Sequence, residues 1–260
     1  MPERDRAPRA PLDAVLLDAG GTLIRLDFEW MAETVSALGA PVSAAALRRG
    51  EVEGRRRYDL SRGHAPAPGE PTSSLGTTGE IREYFSGTLE AGGVPVPFIA
   101  PALERFKRRN QESGLWSRPM EGARAALDGL AALGVRRAVV SNSDGRAEKH
   151  LGDCDMLRGL EFVVDSQVAG IEKPDPGIFR IALERLGVEA GRALYVGDIR
   201  SVDEAGARAA GLHFVLIDPL GDYAGKDTAA IPGMERLAGW VSERFEVALP
   251  GSAPHGGDTR

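Results

Sequence analysis

Short apolar runs alternate with amphipathic stretches at the start of the chain and throughout its second half. Leu12–Leu17 (LDAVLL) is a mostly apolar run that stops at Asp18 and a Gly-Gly pair, the pattern of a buried strand ending in a turn. Similar runs recur at Arg137–Val140, Phe162–Val164, Ala193–Val196 and Phe214–Ile217. Helical patterns lie between and after them, at Glu121–Leu133, Gly145–Leu151, Pro176–Leu186, Val202–Ala210 and Met234–Val247. Strands alternating with helices predict an α/β fold with a parallel sheet covered on both faces. Chemistry in such sheets gathers beyond the carboxyl ends of the strands.

Residues 26–116 break the alternation. They carry helical patterns at Phe28–Leu38, Ala44–Leu60, Gly79–Ala91 and Phe98–Ser113, without a convincing strand. A loop over Ser61–Thr78, rich in Gly, Pro, Ser and Thr, divides them. Inserted directly after the first strand, this segment is expected to sit above the carboxyl edge of the sheet as a cap. The expected division is a core of residues 1–25 and 117–250, a helical cap of residues 26–116, and a disordered tail at 251–260. Charge follows the same division. The chain carries a net −6, yet residues 28–117 hold 11 acidic and 11 basic side chains, so the acidic surplus lies outside the insertion.

Composition narrows the class. With 260 residues, 42% hydrophobic and 27% charged, the chain reads as an ordinary globular protein. No apolar run approaches the ~20 residues needed to cross a bilayer. The charged, Pro-rich start is not a signal peptide. Its one cysteine, Cys154, excludes an internal disulfide framework and a Cys-cluster zinc site. The acidic balance disfavours nucleic acid. The expectation is a cytoplasmic monomer or homodimer whose partner is a small molecule, with no nucleic acid and no membrane.

Four predicted strand ends carry polar signatures. The first ends LLDAGGTL, placing Asp18, Gly20, Gly21 and Thr22 at its tip, where a lone Asp ordinarily caps a turn. The second ends VVSNSDG, with Ser141 and Asn142 as either a helix cap or an anion site. The third is followed by Lys173-Pro174-Asp175-Pro176. Lys173 is one of only four lysines beside 28 arginines, so a lysine at a strand tip stands out. The fourth ends YVGDIRSVDEAGARAAGL, with Asp198 and Asp203 five residues apart. Two such carboxylates repel unless a cation or a base compensates.

In this order and all at strand ends, the four signatures resemble the haloacid dehalogenase-like hydrolase superfamily, helical-cap branch, over about residues 12–220. The resemblance implies a Rossmann-like α/β core with an inserted α-helical cap, and a hydrolase, a phosphatase by activity. Asp18 would be the nucleophile, forming an aspartyl-phosphate, and Lys173 would neutralise charge on nucleophile and phosphate. Ser141, Asn142 and Thr22 would bind the substrate. Asp18, Asp198 and the carbonyl of Gly20 would hold Mg²⁺, with Asp203 acting through a metal-bound water or by orienting Lys173. The implied partner is a small organic phosphate.

One position departs from the pattern. Phosphatases of this superfamily carry a second Asp two residues after the nucleophile as general acid, and here Gly20 stands there. General acid–base catalysis is worth roughly 10²–10⁴-fold. A cap residue, a substrate with a good leaving group such as an acyl phosphate, a slow hydrolase, or a phosphate binder without catalysis would each account for it; Asp144 and Glu172 are candidate substitutes. A dehalogenase would also lack that Asp, but the Gly197-Asp198 carboxylate argues for a metal and therefore for phosphate. Phosphonate cleavage would need a cap lysine, and Lys107 in RFKRRN reads as solvated. In the cap, Arg48, Arg49, Arg55, Arg56 and Arg57 interleave with Glu51, Glu53 and Asp59, which reads as an exposed, salt-bridged helix continuing towards Arg62. Tyr58, Trp30, Tyr84, Phe85 and Phe98 read as cap core, and His64 as a surface side chain.

Overall fold

The computed structural model describes residues 9–61, 79–223 and 225–247. The expectations for Arg62, His64, most of the 61–78 loop and the tail fall outside them. Strands are β1 (Ala10–Leu12), β2 (Ala14–Leu17), β3 (Ile24–Leu26), β4 (Trp116–Pro119), β5 (Arg136–Ser141), β6 (Val163–Asp165), β7 (Ala193–Gly197), β8 (His213–Ile217), β9 (Ala230–Ile231) and β10 (Phe245–Val247). Helices are α1 (Phe28–Ser36), α2 (Ala44–Ser61), α3 (Gly79–Ala91), α4 (Val96–Glu112), α5 (Ala123–Ala132), α6 (Ala147–Asp153), α7 (Ser166–Ala169), α8 (Pro176–Leu186), α9 (Ala205–Ala209) and α10 (Leu237–Arg244).

Six strands form one parallel sheet in the order β6-β5-β2-β7-β8-β9. Every residue of β2 and β7 is buried, because a central parallel strand is covered on both faces. Alternate side chains divide between those faces. Val15, Leu17, Val139 and Val196 pack with α5 and α10, whereas Leu16, Val140, Tyr195 and Leu216 pack with α8. Helix α8 shows why its predicted bounds hold. Asp175 caps it by accepting from Gly177 N, Pro176 opens it, and Gly187 closes it in the left-handed region.

Among its described residues the insertion is helical. Helices α1 to α4 surround their own apolar cluster, which includes Phe28, Met31, Leu47, Leu89 and Phe106. Tyr58, Tyr84 and Phe85 are buried in it, and Trp30 and Phe98 pack at its edge. Both chain crossings between core and insertion run through one antiparallel ribbon, β3 with β4. The sequence pattern does not predict this ribbon, because strands of three and four residues fall below a detectable period. Asp27 ties the crossings together. It caps α1 by accepting from Trp30 N, receives Arg109 at 2.8 Å, and donates its own N–H to Leu115 O.

Three expected elements differ. The predicted strand 12–17 is broken at Asp13, which pairs with Arg192, and the residues before the break pair with β10 instead. That pairing also ends the last predicted helix at Arg244, since Phe245–Val247 is drawn into the two-stranded β1–β10 sheet. The predicted helix over 202–210 begins as a π-helical turn, Arg200–Glu204, before α9. Asp203 lies in that wide turn, folded back onto the backbone at the end of β7. Among the described residues no helix is long and apolar enough to cross a membrane.

Candidate active site

Four strand ends converge on one cavity of about 830 Å³, walled on one side by the sheet edge and on the other by α3 and α4. Asp18, Gly20, Ser141, Asn142, Lys173, Asp198 and Asp203 all line it. Thr22 does not. It is fully buried below the turn, and its hydroxyl finds no hydrogen-bond partner. Asp144 lines the cavity in a bidentate pair with Arg146, whereas Glu172 is not part of the wall.

Lys173 is at the centre, 1% exposed. Its Nζ lies 2.9 Å from Asp18 Oδ1 and 2.8 Å from Asp203 Oδ1, and donates to Tyr195 OH at 2.8 Å. The Tyr195 hydroxyl in turn donates to Val140 O at 2.8 Å. Asn142 fixes the lysine from behind: its Oδ1 accepts from Lys173 N at 2.8 Å and its Nδ2 donates to Lys173 O at 2.9 Å. With its amide oxygen and one amide N–H engaged by the Lys173 backbone, the Asn142 side chain positions Lys173. Asp165, at the tip of β6, holds the loop after Ser141 by accepting from Gly145 N and Ala147 N.

The three carboxylates differ in what they have left to offer. Asp203 is spent, since Oδ1 receives Lys173 and Oδ2 receives the N–H groups of Asp198 and Ile199 at 3.0 and 2.9 Å. Asp18 Oδ1 receives both Lys173 and Ala19 N, at 2.9 and 2.8 Å, which locks the carboxylate's rotation. Asp198 packs so tightly over the first turn that a Cβ on Gly21, at φ +76°, would lie 2.1 Å from Oδ2. Its Oδ1 is buried with no hydrogen-bond partner. One oxygen from each of the three lies within 4.8 Å of the others, a spacing that suits one ion. A hard, all-oxygen donor set with one orphaned buried carboxylate oxygen fits Mg²⁺.

Electrostatics point the same way. Burial raises the Asp18 carboxyl to about 6, against the lowering effect of Lys173. Burial also pushes Asp198 well above its usual value, with Arg55 opposing and Asp203 and Asp18 adding to the rise. Burial alone would lower Lys173, but Asp18 and Asp203 outweigh it, so the ammonium is held charged. The site is short of positive charge, and a bound cation would relieve that shortage.

Arg55 corrects the reading of the cap arginines. Arg56 and Arg57 pair with Glu53 as expected, while Arg48 and Arg57 also reach Glu121 and Glu90 on other elements. Arg55 is buried instead and reaches from α2 to the core, its Nε 3.2 Å from Asp198 Oδ2. Glu51 pairs with it at 3.0 Å, and Tyr84 donates to Glu51 at 2.6 Å. Nothing in the sequence separates this arginine from its neighbours. Tyr195 is different: a lone hydroxyl in the aliphatic run ALYV signals a buried partner.

An acidic side chain held by a buried lysine at the tip of a parallel strand, with a carboxylate cluster beside it, fits a hydrolase built on a Rossmann-like parallel sheet. The family description "haloacid dehalogenase-like hydrolase" matches residues 12–211, and the chain belongs to that family. Haloacid dehalogenase-like hydrolase domain-containing protein 3 of Bos taurus is 37% identical over 142 residues, 54% of this chain and 56% of that protein. The chain thus spans about half the length of this relative. A phosphoglycolate phosphatase of Pseudomonas fluorescens is 29% identical over 188 residues, 69% of this chain and 68% of that one. Among solved structures, the L-2-haloacid dehalogenase RSc1362 superimposes with a TM-score of 0.60 at 20% identity, over 90% of this chain and 100% of the other, which shows the shared fold.

Proposed function

We propose that this hydrolase is a Mg²⁺-dependent phosphohydrolase of small organic phosphates that works through an aspartyl-phosphate on Asp18. The observation that carries the reading is the orphaned Oδ1 of Asp198 beside the Asp18–Lys173–Asp203 network. A carboxylate can approach a phosphate dianion only where positive charge cancels the repulsion, and both sources of that charge have a place here.

Asp18 attacks phosphorus in line with the departing oxygen, and the covalent intermediate is then hydrolysed by water. Lys173 carries charge against both Asp18 and the arriving phosphate, and Asp203, Tyr195 and Asn142 hold it in place. The Ser141 hydroxyl and the backbone N–H of Asn142 receive phosphoryl oxygens. Asp18, Asp198 and the Gly20 carbonyl are the groups that would hold Mg²⁺, which when bound neutralises charge on the transferring phosphoryl group. The insertion acts as a cap that closes the cavity over the substrate, away from bulk water.

The test is phosphate release from p-nitrophenyl phosphate with and without Mg²⁺. Asp18→Asn should lower the rate on the order of 10⁴-fold or more. Phosphate release that survives both that substitution and chelation would sink the proposal. Gly20 favours a second reading, a phosphate-binding protein without turnover. In that case phosphate with Mg²⁺ raises the melting temperature while no phosphate ester is consumed. Dehalogenation is disfavoured by Asp198, whose buried free oxygen has no use in attack on carbon.

A further inference from the structure

Position 20 has no side chain, and the space one would occupy is filled from the other chain crossing. A Cβ on Gly20 would lie 3.0 Å from Trp116 Cδ1 and 3.1 Å from its Nε1. Trp116 opens β4 opposite Leu26, and its ring packs against Tyr84 and Phe85 with centroids 6.4 and 5.9 Å apart. It lines the cavity that also contains Asp18 and Lys173. An indole N–H is a donor only, and does not give up its proton.

Four of the other titratable side chains on the cavity wall are committed elsewhere or hold no proton at pH 7, whereas Glu104 and Lys107 line it from the exposed side of α4. Asp203 is spent on Lys173 and two backbone N–H groups, and Tyr84 donates to Glu51. Asp144 is paired with Arg146, which outweighs burial and holds its carboxyl below the usual range, so it is ionised and has no proton to give. Burial pushes His150 below its usual value, so it is neutral at pH 7. The position beside the nucleophile therefore offers a hydrogen bond without a proton.

We propose that Trp116 faces the leaving-group oxygen and donates a hydrogen bond to it, and that the site is built for acyl phosphates, mixed anhydrides whose leaving group departs as a carboxylate. The proposal rests on the phosphohydrolase reading. Attack by Asp18 forms its Oδ–P bond and breaks the anhydride P–O bond, whose electron pair leaves with the carboxylate, so no proton is needed. Water then adds to phosphorus, Asp18 leaves as a carboxylate, and the water's protons remain on the product as dihydrogen phosphate. A carboxylate has a pKa of about 4 and departs readily. An alkoxide has no such ease, and losing general-acid help costs it about 10²–10⁴-fold. Ile81, Phe85, Leu103 and Phe106 give the cavity an apolar side for an acyl group with a hydrocarbon body.

Benzoyl phosphate and benzyl phosphate, matched in size, test the proposal in Mg²⁺. After subtraction of spontaneous hydrolysis, kcat/KM for the benzoyl compound should exceed that for the benzyl one by about 10³-fold or more. Trp116→Phe keeps the ring and loses the N–H, and should lower benzoyl turnover about 10-fold or more. The double substitution Gly20→Asp with Trp116→Ala opens room for an acid and should raise benzyl turnover. Equal rates on the two compounds, with Trp116→Phe as active as wild type, overturn the proposal. If Asp18→Asn still abolishes both rates in that case, the phosphohydrolase reading stands. Failure to hydrolyse either compound overturns both. Should Trp116→Phe not fold, the wild-type ratio of the two rates decides alone.

Discussion

The core and the insertion each bury an ion network, and the two networks meet at Asp198. In the core, Lys173 is fixed through its backbone by Asn142, and Asp203 through two backbone N–H groups at the end of β7. Those anchors belong to strand ends, whose places are set by the sheet. In the insertion, Arg55 is held by Glu51 one helical turn earlier, and Glu51 by Tyr84 from α3. Every anchor there is a side chain on a helix, so the network exists only while α2 packs on α3 and both lie over the core. The packing is close: a Cβ on Gly54 would fall 2.4 Å from Tyr84 O. The difference assigns two tasks. On the proposed function, the core network serves the chemistry and the insertion supplies a charge, Arg55, to Asp198.

Substitutions at the two networks should separate these tasks. Lys173→Ala leaves Asp18 and Asp203 buried without their cation, and should cost about 3–5 kcal/mol in urea unfolding together with nearly all turnover. Arg55→Ala leaves Asp198 and Glu51 exposed to each other's charge. It should cost about 3 kcal/mol in metal-free protein, and clearly less in millimolar Mg²⁺, because the ion supplies the charge that Arg55 lent. Unfolding curves with and without MgCl₂ read this directly, and an identical loss in both would remove the link between Arg55 and the metal site.

Asp27, at the junction of the two parts, should show a smaller effect of about 1–2 kcal/mol on conversion to Asn at neutral pH. Burial raises its carboxyl, but Trp30 N–H, Arg118 and Arg109 outweigh it and hold it below 3.8. A carboxyl lowered in the folded state contributes stability that is fully present above about pH 4 and lost as pH falls through the folded value. Melting temperature should therefore fall more steeply between pH 5 and pH 3 in wild type than in Asp27→Asn. The smallest effect is expected at Arg56, whose pair with Glu53 is on the surface. Arg56→Ala should leave both melting temperature and turnover unchanged.

The legible parts of this protein share one property, a local pattern. Each core strand is a short apolar run stopped by a polar residue, and those stops are the residues at the cavity: Asp18, Ser141, Asn142 and Asp198. Lys173 was visible because lysine is rare in this chain and this one precedes a proline. The insertion was visible because its helical periods replace the strand rhythm. The ribbon of β3 and β4 was not, because neither strand is long enough to show alternation. Thr22 sits in the first turn by sequence, yet the turn closes over it and buries it.

Arg55 illustrates the limit most clearly. It shares a helix with Arg48, Arg49, Arg56 and Arg57, and its spacing from Glu51 matches many exposed pairs. Which face of α2 is buried depends on α3 and on the core, and no local pattern contains that. The same holds for Trp116, which meets Gly20 only because two distant crossings of the chain are paired side by side. Residue order along the chain was enough for the α/β alternation, the inserted helices and the polar groups at four strand tips, since propensity and period act over a few residues. Three-dimensional packing alone decided which oxygens stay unpaired, which arginine turns inward and what fills the space beside Asp18, since those depend on contacts between segments far apart in sequence.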